Sequence, residues 1–376
     1  MFSKLTGGLA GSILGIAILA PGAAFAGGPV QVDSQDPDPC VADFSLGTCD
    51  RPGGLVARGQ KALLLTFDGG DVVQHLSSDA GATWSGAMKL GDNATFPQAI
   101  AQDGEAIAYT YRGGAAGDQI RTGWEWGVME LSSTSTGFAA PRQVTTHVAA
   151  DVEKGVFAWA AAGYDEVPQG RKTNAIRIRR ATDGIGDTPI VKTIAWNGAG
   201  CQPRGTDPSL AVVEGGRIIV AYWKTCTNLV VQRIDFLSGK VSAPTTISTG
   251  RHSLGMSIDA QGKTVVIAYT AGGKVLTRRS TDAGKTWGSP KQAGSGASSV
   301  RIAYLDGKWH LLTGGTTSVR YRSSANGATW SAGQTVDSLA DARTYAIGLA
   351  FGGGKLLQAY SIRQAKTSYG LFVFPR

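Results

Sequence analysis

The sequence predicts an all-β protein, a β-propeller of four-stranded antiparallel blades, seven in number with six as the alternative. Three observations carry this. Hairpins of alternating apolar residues around a Gly or polar turn recur about every 50 residues, the period of a propeller blade. Glycine is abundant, 53 of 376 residues, yet 42% of residues are hydrophobic, which suits many short strands joined by tight turns and excludes a disordered chain. An octapeptide turn, Ser77-Ser78-Asp79-Ala80-Gly81-Ala82-Thr83-Trp84, returns as Ser280 to Trp287 and, without its aspartate, as Ser323 to Trp330.

The chain is read in three parts. Residues 1–26 have the form of a secretory signal peptide: Lys4, an apolar run from Leu9 to Ala20 too short to span a bilayer, and Ala24-Phe25-Ala26 as an A-x-A cleavage site. A secreted or periplasmic protein without a transmembrane segment is expected. Residues 27–54 hold Pro29-Val30-Gln31-Val32, an alternating stretch suited to closing the ring beside the last strand, Gly370 to Phe374. Residues 55–376 carry the propeller.

Its hairpins are 55–67, 97–109, 148–159, 209–222, 256–269, 300–312 and 347–360. Second hairpins lie between them, and the octapeptide turns are the tips of three. Asp followed two residues later by Gly is a tight-turn signal, since the carboxylate accepts backbone N–H bonds and Gly supplies positive φ. The following Thr-Trp is strand material with a large ring to pack. Ser77, Asp79, Gly81, Trp84, Ser280, Asp282, Gly284, Trp287, Gly327 and Trp330 are therefore expected to be structural. Tyr109, Tyr222, Tyr269 and Tyr360 each follow Ala at one strand position, with Trp159 in the equivalent place, which reads as packing between blades. The arginines of Arg177-Ile178-Arg179, Thr277-Arg278-Arg279 and Arg320-Tyr321-Arg322 recur in the same way and read as structural or as a solvated sheet face.

Lys and Arg number 36 against 28 Asp and Glu. The excess is mild and spread over many strands, unlike the clustered charge of a nucleic-acid binder. Four cysteines in an exported chain suggest two disulfides, with Cys40–Cys49 and Cys201–Cys226 the first choice of three connectivities. His75, His147, His252 and His310 form no metal-ligand spacing, so neither metal nor cofactor is expected.

The repeated turn resembles the Asp-box, or BNR, repeat of sialidase-type β-propellers. The resemblance covers about residues 55–376 and implies the propeller with its turns on the face opposite the ligand. The ligand face then takes the second-strand exits 112–125, 162–174, 224–228 and 362–368 and the connections 91–96, 197–208, 249–254 and 338–346. Cys201 and Cys226 fall on that face in one blade. Sialidases hold the substrate carboxylate with three arginines and use an aspartate acid/base and a Tyr–Glu nucleophile. Their R-I-P motif is missing here, Arg51-Pro52 being the nearest fragment, and Tyr360-Ser361 is a repeat tyrosine.

Two exits are longer than a blade needs, and long loops in compact repeats tend to be functional. Ligand contacts are expected from Arg112, Arg121, Trp124, Tyr164, Arg171, Arg204, Arg251 and Arg343, since rings beside charged groups suit sugar faces and hydroxyls. The expectation is a monomer that binds a glycan, or a glycoprotein or protein ligand, without catalysis. The alternative is a diverged glycoside hydrolase drawing two carboxylates from Asp118, Asp165, Glu166 and Asp207.

Overall fold

The computed structural model describes residues 28–35, 54–68, 71–91, 95–103, 106–112, 119–123, 132–135, 143–153, 156–166, 172–181, 190–195, 208–225, 227–235, 238–250, 255–338, 344–363 and 369–376. Among them, twenty-eight strands form seven four-stranded antiparallel sheets, the blades of a propeller. β1 (Val30–Gln35) stands apart in sequence. Blade 1 holds β2 (Gly54–Arg58), β3 (Lys61–Asp68), β4 (Asp71–Ser77) and β5 (Met88–Gly91). Blade 2 holds β6 (Thr95–Asp103), β7 (Ala106–Arg112), β8 (Gln119–Gly123) and β9 (Ser132–Ser135). Blade 3 holds β10 (Gln143–Glu153), β11 (Val156–Glu166), β12 (Lys172–Ala181) and β13 (Ile190–Ala195). Blade 4 holds β14 (Ser209–Val213), β15 (Arg217–Thr225), β16 (Asn228–Ile234) and β17 (Thr245–Thr249). Blade 5 holds β18 (Met256–Gln261), β19 (Thr264–Ala271), β20 (Lys274–Ser280) and β21 (Lys291–Ser295). Blade 6 holds β22 (Ala297–Leu305), β23 (Lys308–Gly315), β24 (Ser318–Ser324) and β25 (Gln334–Ser338). Blade 7 holds β26 (Thr344–Gly352), β27 (Lys355–Arg363) and β28 (Tyr369–Pro375), and β1 is its outermost strand.

Each blade's first strand touches the first strands of its two neighbours, and β26 touches β2, so the ring closes on itself. β1 pairs with β28 from Val30↔Val373 to Gln35↔Tyr369, with one bulge between Gln31 and Asp33.

The core lies between the blades. Tyr222 of blade 4 packs with Ala158, Ile176 and Ile178 of blade 3, and Tyr269 of blade 5 with Ile219 and Val231 of blade 4. Val266 and Val275 of blade 5 meet Val300 and Leu311 of blade 6, and Tyr360 of blade 7 meets Leu312 and Tyr321 of blade 6. Leu55 and Leu64 of blade 1 close the circle on Leu357 and Val373 of blade 7. Burying each such side chain contributes roughly 1.5–3 kcal/mol.

The first strands of adjacent blades are also tied by side chains. Ser209 Oγ accepts the Ile258 N–H at 3.2 Å, Ser257 Oγ the Ile302 N–H at 3.2 Å, and Ser299 Oγ the Ala346 N–H at 2.9 Å. Asp151 accepts the Val212 N–H and Asp259 the Tyr304 N–H, both at 2.6 Å. An inner strand has no ladder partner on its channel side, and its buried N–H groups need acceptors. These oxygens supply them.

Two connections expected to be long are partly strand. β8 begins at Gln119, so Arg121 lies within the third strand of blade 2, opposite Tyr109 and Ser133. β11 runs on to Glu166 and β12 starts at Lys172, so Tyr164, Asp165 and Glu166 are strand residues rather than loop residues. The reason is pairing: Tyr164 faces Val144 and Asn174, and Asp165 faces Gln143 and Thr173, so backbone groups there have ladder partners on both sides.

Candidate functional site

The ring presents two unlike faces. One carries the tips between second and third strands and the links from blade to blade; the other carries the hairpin tips of first and second strands together with the octapeptide turns. On the first, the structure places Arg112 at the end of β7, opposite Thr95, and Tyr164, Asp165 and Glu166 at the end of β11 in the adjoining blade. Arg121 is set back within β8. Asp118, Trp124, Arg171, Arg204, Asp207, Arg251 and Arg343 lie outside the described residues, as do Cys40, Cys49, Cys201, Cys226 and residues 1–26. No helix among the described residues is long and apolar enough to cross a membrane.

On the second face the turns can be read atom by atom. In blade 1 the Asp79 carboxylate accepts the Thr83 N–H at 2.8 Å, the Thr83 hydroxyl at 2.6 Å and the Ser77 hydroxyl at 2.8 Å. Ser77 Oγ in turn accepts the Gly81 N–H at 2.9 Å. The Thr83 hydroxyl and N–H, with help from Ser77 and Ala82, outweigh burial and lower the Asp79 pKa to about 2. Blade 5 repeats the pattern with Asp282, Thr286, Ser280 and Gly284. Burial pushes Asp282 upward, but the Thr286 N–H and hydroxyl, Ser280 and Lys285 together bring it down to about 2.

Each turn is seated on its blade and on the blade before. The Ala80 and Ala283 N–H groups donate to Gln60 and Lys263 in the first hairpin of their own blades. A Cβ on Gly81 would meet Leu357 of blade 7, one on Gly284 would meet Ile219 of blade 4, and one on Gly327 would meet Val266 of blade 5. All three glycines have positive φ, between 70° and 80°.

The third turn departs from the expected alignment. Ser324, not Ser323, accepts the Gly327 N–H, at 2.8 Å, and Asn326 accepts the Ala328 and Thr329 N–H groups, both at 2.9 Å. The acceptor thus survives as an amide, and Ala325 is not the aspartate's counterpart. One residue is missing between Ser and Gly, the place where Ala80 and Ala283 take positive φ in the longer turns.

Tyr222, Tyr360 and Arg278, three of the recurring tyrosines and arginines, are structural. Tyr360 has no exposed surface, and its hydroxyl donates to Asp337 at 2.9 Å. Burial, followed by the Asp337 charge, pushes its pKa well up, so it holds its proton and faces no ligand. Burial pushes Tyr222 up to about 12, and its hydroxyl donates to Gln232 at 2.6 Å. Arg278 donates to the carbonyls of Thr246 and Ile247 in blade 4 and of Trp287 and Gly288 in its own turn.

No protein-family model and no curated protein matches the chain. Similar solved structures include Trypanosoma rangeli sialidase in complex with the inhibitor DANA, at 12% identity and TM-score 0.41 over 86% of this chain and 54% of that one. NanB sialidase from Streptococcus pneumoniae is similar at 12% identity and TM-score 0.46, over 88% of this chain and 69% of that one. Aleuria aurantia lectin, in complex with Fucalpha1-6GlcNAc, is similar at 11% identity and TM-score 0.43, over 86% of this chain and 95% of that one. The chain spans about half the length of the trypanosomal structure. With such scores, the fold rests on strand order and ring closure in the chain itself: an all-β propeller of four-stranded blades.

Proposed function

We propose that this is an exported, non-catalytic propeller that binds a glycan or glycoprotein on the face of its inter-blade links. The observation that carries the reading is the length of blade 3. β10, β11 and β12 have 11, 11 and 10 residues, against 5, 9 and 7 for β14, β15 and β16 of blade 4. Two added residues lengthen a strand by about 7 Å. A raised hairpin end bearing Tyr164, Asp165 and Glu166, beside the blade that bears Arg112, makes a wall for a bound sugar. An aromatic ring covers the apolar face of a pyranose, and charged groups bond its hydroxyls.

Binding of the mature protein to an immobilised glycan panel tests this. Trp124→Ala, Arg112→Ala and Tyr164→Ala are expected to weaken capture about 10- to 100-fold with the circular dichroism spectrum unchanged. Unchanged capture in all three overturns the assignment. A fluorogenic sialoside within a panel of other glycosides tests the absence of catalysis. Turnover abolished by replacing one of Asp118, Asp165, Glu166 or Asp207 would make the protein a glycoside hydrolase instead.

A further inference from the structure

On the opposite face, a groove of about 280 Å³ runs along the seam between blades 5 and 6. Thr277, Arg279, Thr281, Thr286, Ser289 and Lys291 of blade 5 line it, and Gly327 and Ala328 of the blade 6 turn form its other wall. Two cations and four hydroxyl-bearing residues therefore line the space, with the Thr277 and Thr286 hydroxyls engaged by Trp330 and Asp282, and no carboxylate is among the described lining residues. The carboxylate of the same turn, Asp282, has its oxygens occupied by Thr286 and Ser280. Arg279 Nε is buried and has no hydrogen-bond partner. A buried guanidinium N–H without an acceptor is costly, and the side chain that carries it lines the groove, where a guanidinium is suited to pair with an oxyanion.

Blade 1 provides an internal control. Register equates Leu76 with Arg279, each preceding the turn serine, and Met88 with Lys291, since Gln74↔Met88 matches Thr277↔Lys291. Blade 1 also has a groove beside its turn, lined by Lys61, Leu76, Thr83, Trp84 and Ser85, so it keeps one cation, contributed by the first hairpin rather than by either equivalent position. In blade 1 the two equivalent positions, Leu76 and Met88, are apolar, and Met88 is 44% exposed. In blade 6 the equivalent pair is Ser323 and Gln334. Blade 4 has Arg233 at the Arg279 position, its Nε likewise buried without a partner, but Thr245 at the Lys291 position, so the pair of cations is what sets blade 5 apart from blades 1, 4 and 6.

We infer that the blade 5–6 groove is an oxyanion site that takes a sulfate or phosphate ester carried on a sugar, with Arg279 and Lys291 as its charge partners. At about 30 Å³ per water, the space exceeds what a bare tetrahedral anion occupies and admits the ring that bears it. The site is separate from the sugar-binding face proposed above and stands without it.

Isothermal titration of the full mature protein at fixed ionic strength tests the assignment. The probes are N-acetylglucosamine 6-sulfate, the corresponding 6-phosphate, unsubstituted N-acetylglucosamine, inorganic sulfate and inorganic phosphate. The sulfated or phosphorylated sugar should bind and the unsubstituted sugar should not. Arg279→Leu and Lys291→Met, which copy blade 1, should each weaken binding by about tenfold or more. Lys285→Met, which removes an equal charge from the same turn outside the groove, should stay within about twofold of the wild type. Inorganic sulfate or phosphate binding as tightly as its sugar ester, with the same losses in the variants, supports the oxyanion site and assigns its ligand to the free ion. No heat from any anionic probe overturns the inference, as does equal binding of the unsubstituted sugar. An equal loss in Lys285→Met also overturns it, reducing the effect to general surface charge.

Discussion

In blades 1 and 5 the third and fourth strands are joined through a carboxylate, whereas in blade 6 an amide does the work and the turn is one residue shorter. Asp79 and Asp282 each gather a threonine N–H, its hydroxyl and a serine hydroxyl. Asn326 accepts two backbone N–H groups and the Ser324 hydroxyl. The shared parts are a serine oxygen on the glycine N–H, a glycine with positive φ pressed on the preceding blade, and a tryptophan three residues beyond it. The comparison separates two tasks that the motif merges. Seating the turn on its neighbour belongs to the glycine and the indole; tying the turn internally needs an acceptor and can be done without charge.

The seating role can be broken most severely at Gly327. An added Cβ would lie 2.5 Å from Val266 Cγ2 and 3.2 Å from Trp309 Nε1, on a backbone with φ of 70°. Gly327→Ala should lower stability in denaturant unfolding by about 2–4 kcal/mol, from left-handed strain and overpacking. Gly81→Ala, whose Cβ meets only the end of Leu357, should lose less. A smaller loss at Gly327 than at Gly81 would show that blade 6 yields more readily than its packing implies.

The indoles sharpen the same contrast. Trp330 Nε1 donates to Thr277 Oγ1 across the seam at 3.0 Å, Trp84 Nε1 to Gly81 O within its own turn at 3.1 Å, and the buried Trp287 Nε1 has no partner. Trp330→Phe should cost roughly 1–3 kcal/mol more than Trp287→Phe, because only the first strands a partner. Equal losses in the thermal melts of the two variants would mean that ring volume alone matters.

Charge is the finest point of difference. A carboxylate whose folded pKa is about 2 stabilises the fold above its unfolded value, near 3.9, and loses that contribution as pH falls toward 2. Both groups are largely solvated, so the effect is expected to be modest. The double variant Asp79→Asn, Asp282→Asn should therefore show a flatter melting temperature between about pH 4 and 2, while Asn326→Asp steepens it. Parallel profiles would remove the role of charge in tying the turns.

A separate acid response belongs to blade 6. His310 is buried, with Nδ1 against the Tyr321 hydroxyl at 2.8 Å and Nε2 against Leu305 O at 3.0 Å. Burial first, opposed by the Leu305 carbonyl, lowers its pKa below the usual 6.5. The unfolded chain then binds more protons, so stability should fall as pH drops below about 6.5, a slope that His310→Gln should reduce.

Much of this architecture was legible because propeller blades repeat, and repetition turns weak local signals into register. The strand alternation of 209–222 and 256–269, the turn glycines and the interblade tyrosines all followed from it. The tie from Ser209, Ser257 and Ser299 is not legible from local pattern, although serine stands near the start of three inner strands, because its bonds reach a different blade some 45 to 49 residues away. Matching Ser323 to Ser77 failed because equal spacing to tryptophan hides a deletion compensated one residue earlier. The hairpin register puts Arg121 and Tyr164 to Glu166 in exit loops, yet cross-strand pairing extends the ladder through them. Candidate ligand residues in the connections between strands have no period to locate them, so their grouping was the least legible part.

β1 and β28 meet edge to edge, so residues 30 and 373 become neighbours although the rest of the chain lies between them. Such a contact spans the whole ring in sequence, and loop-closure entropy delays it until most of the ring is in place. Blade 7 should therefore be the last to complete. Cutting the chain elsewhere and linking residue 376 to residue 28 would convert this late clasp into an ordinary hairpin, with faster final closure and the same ring.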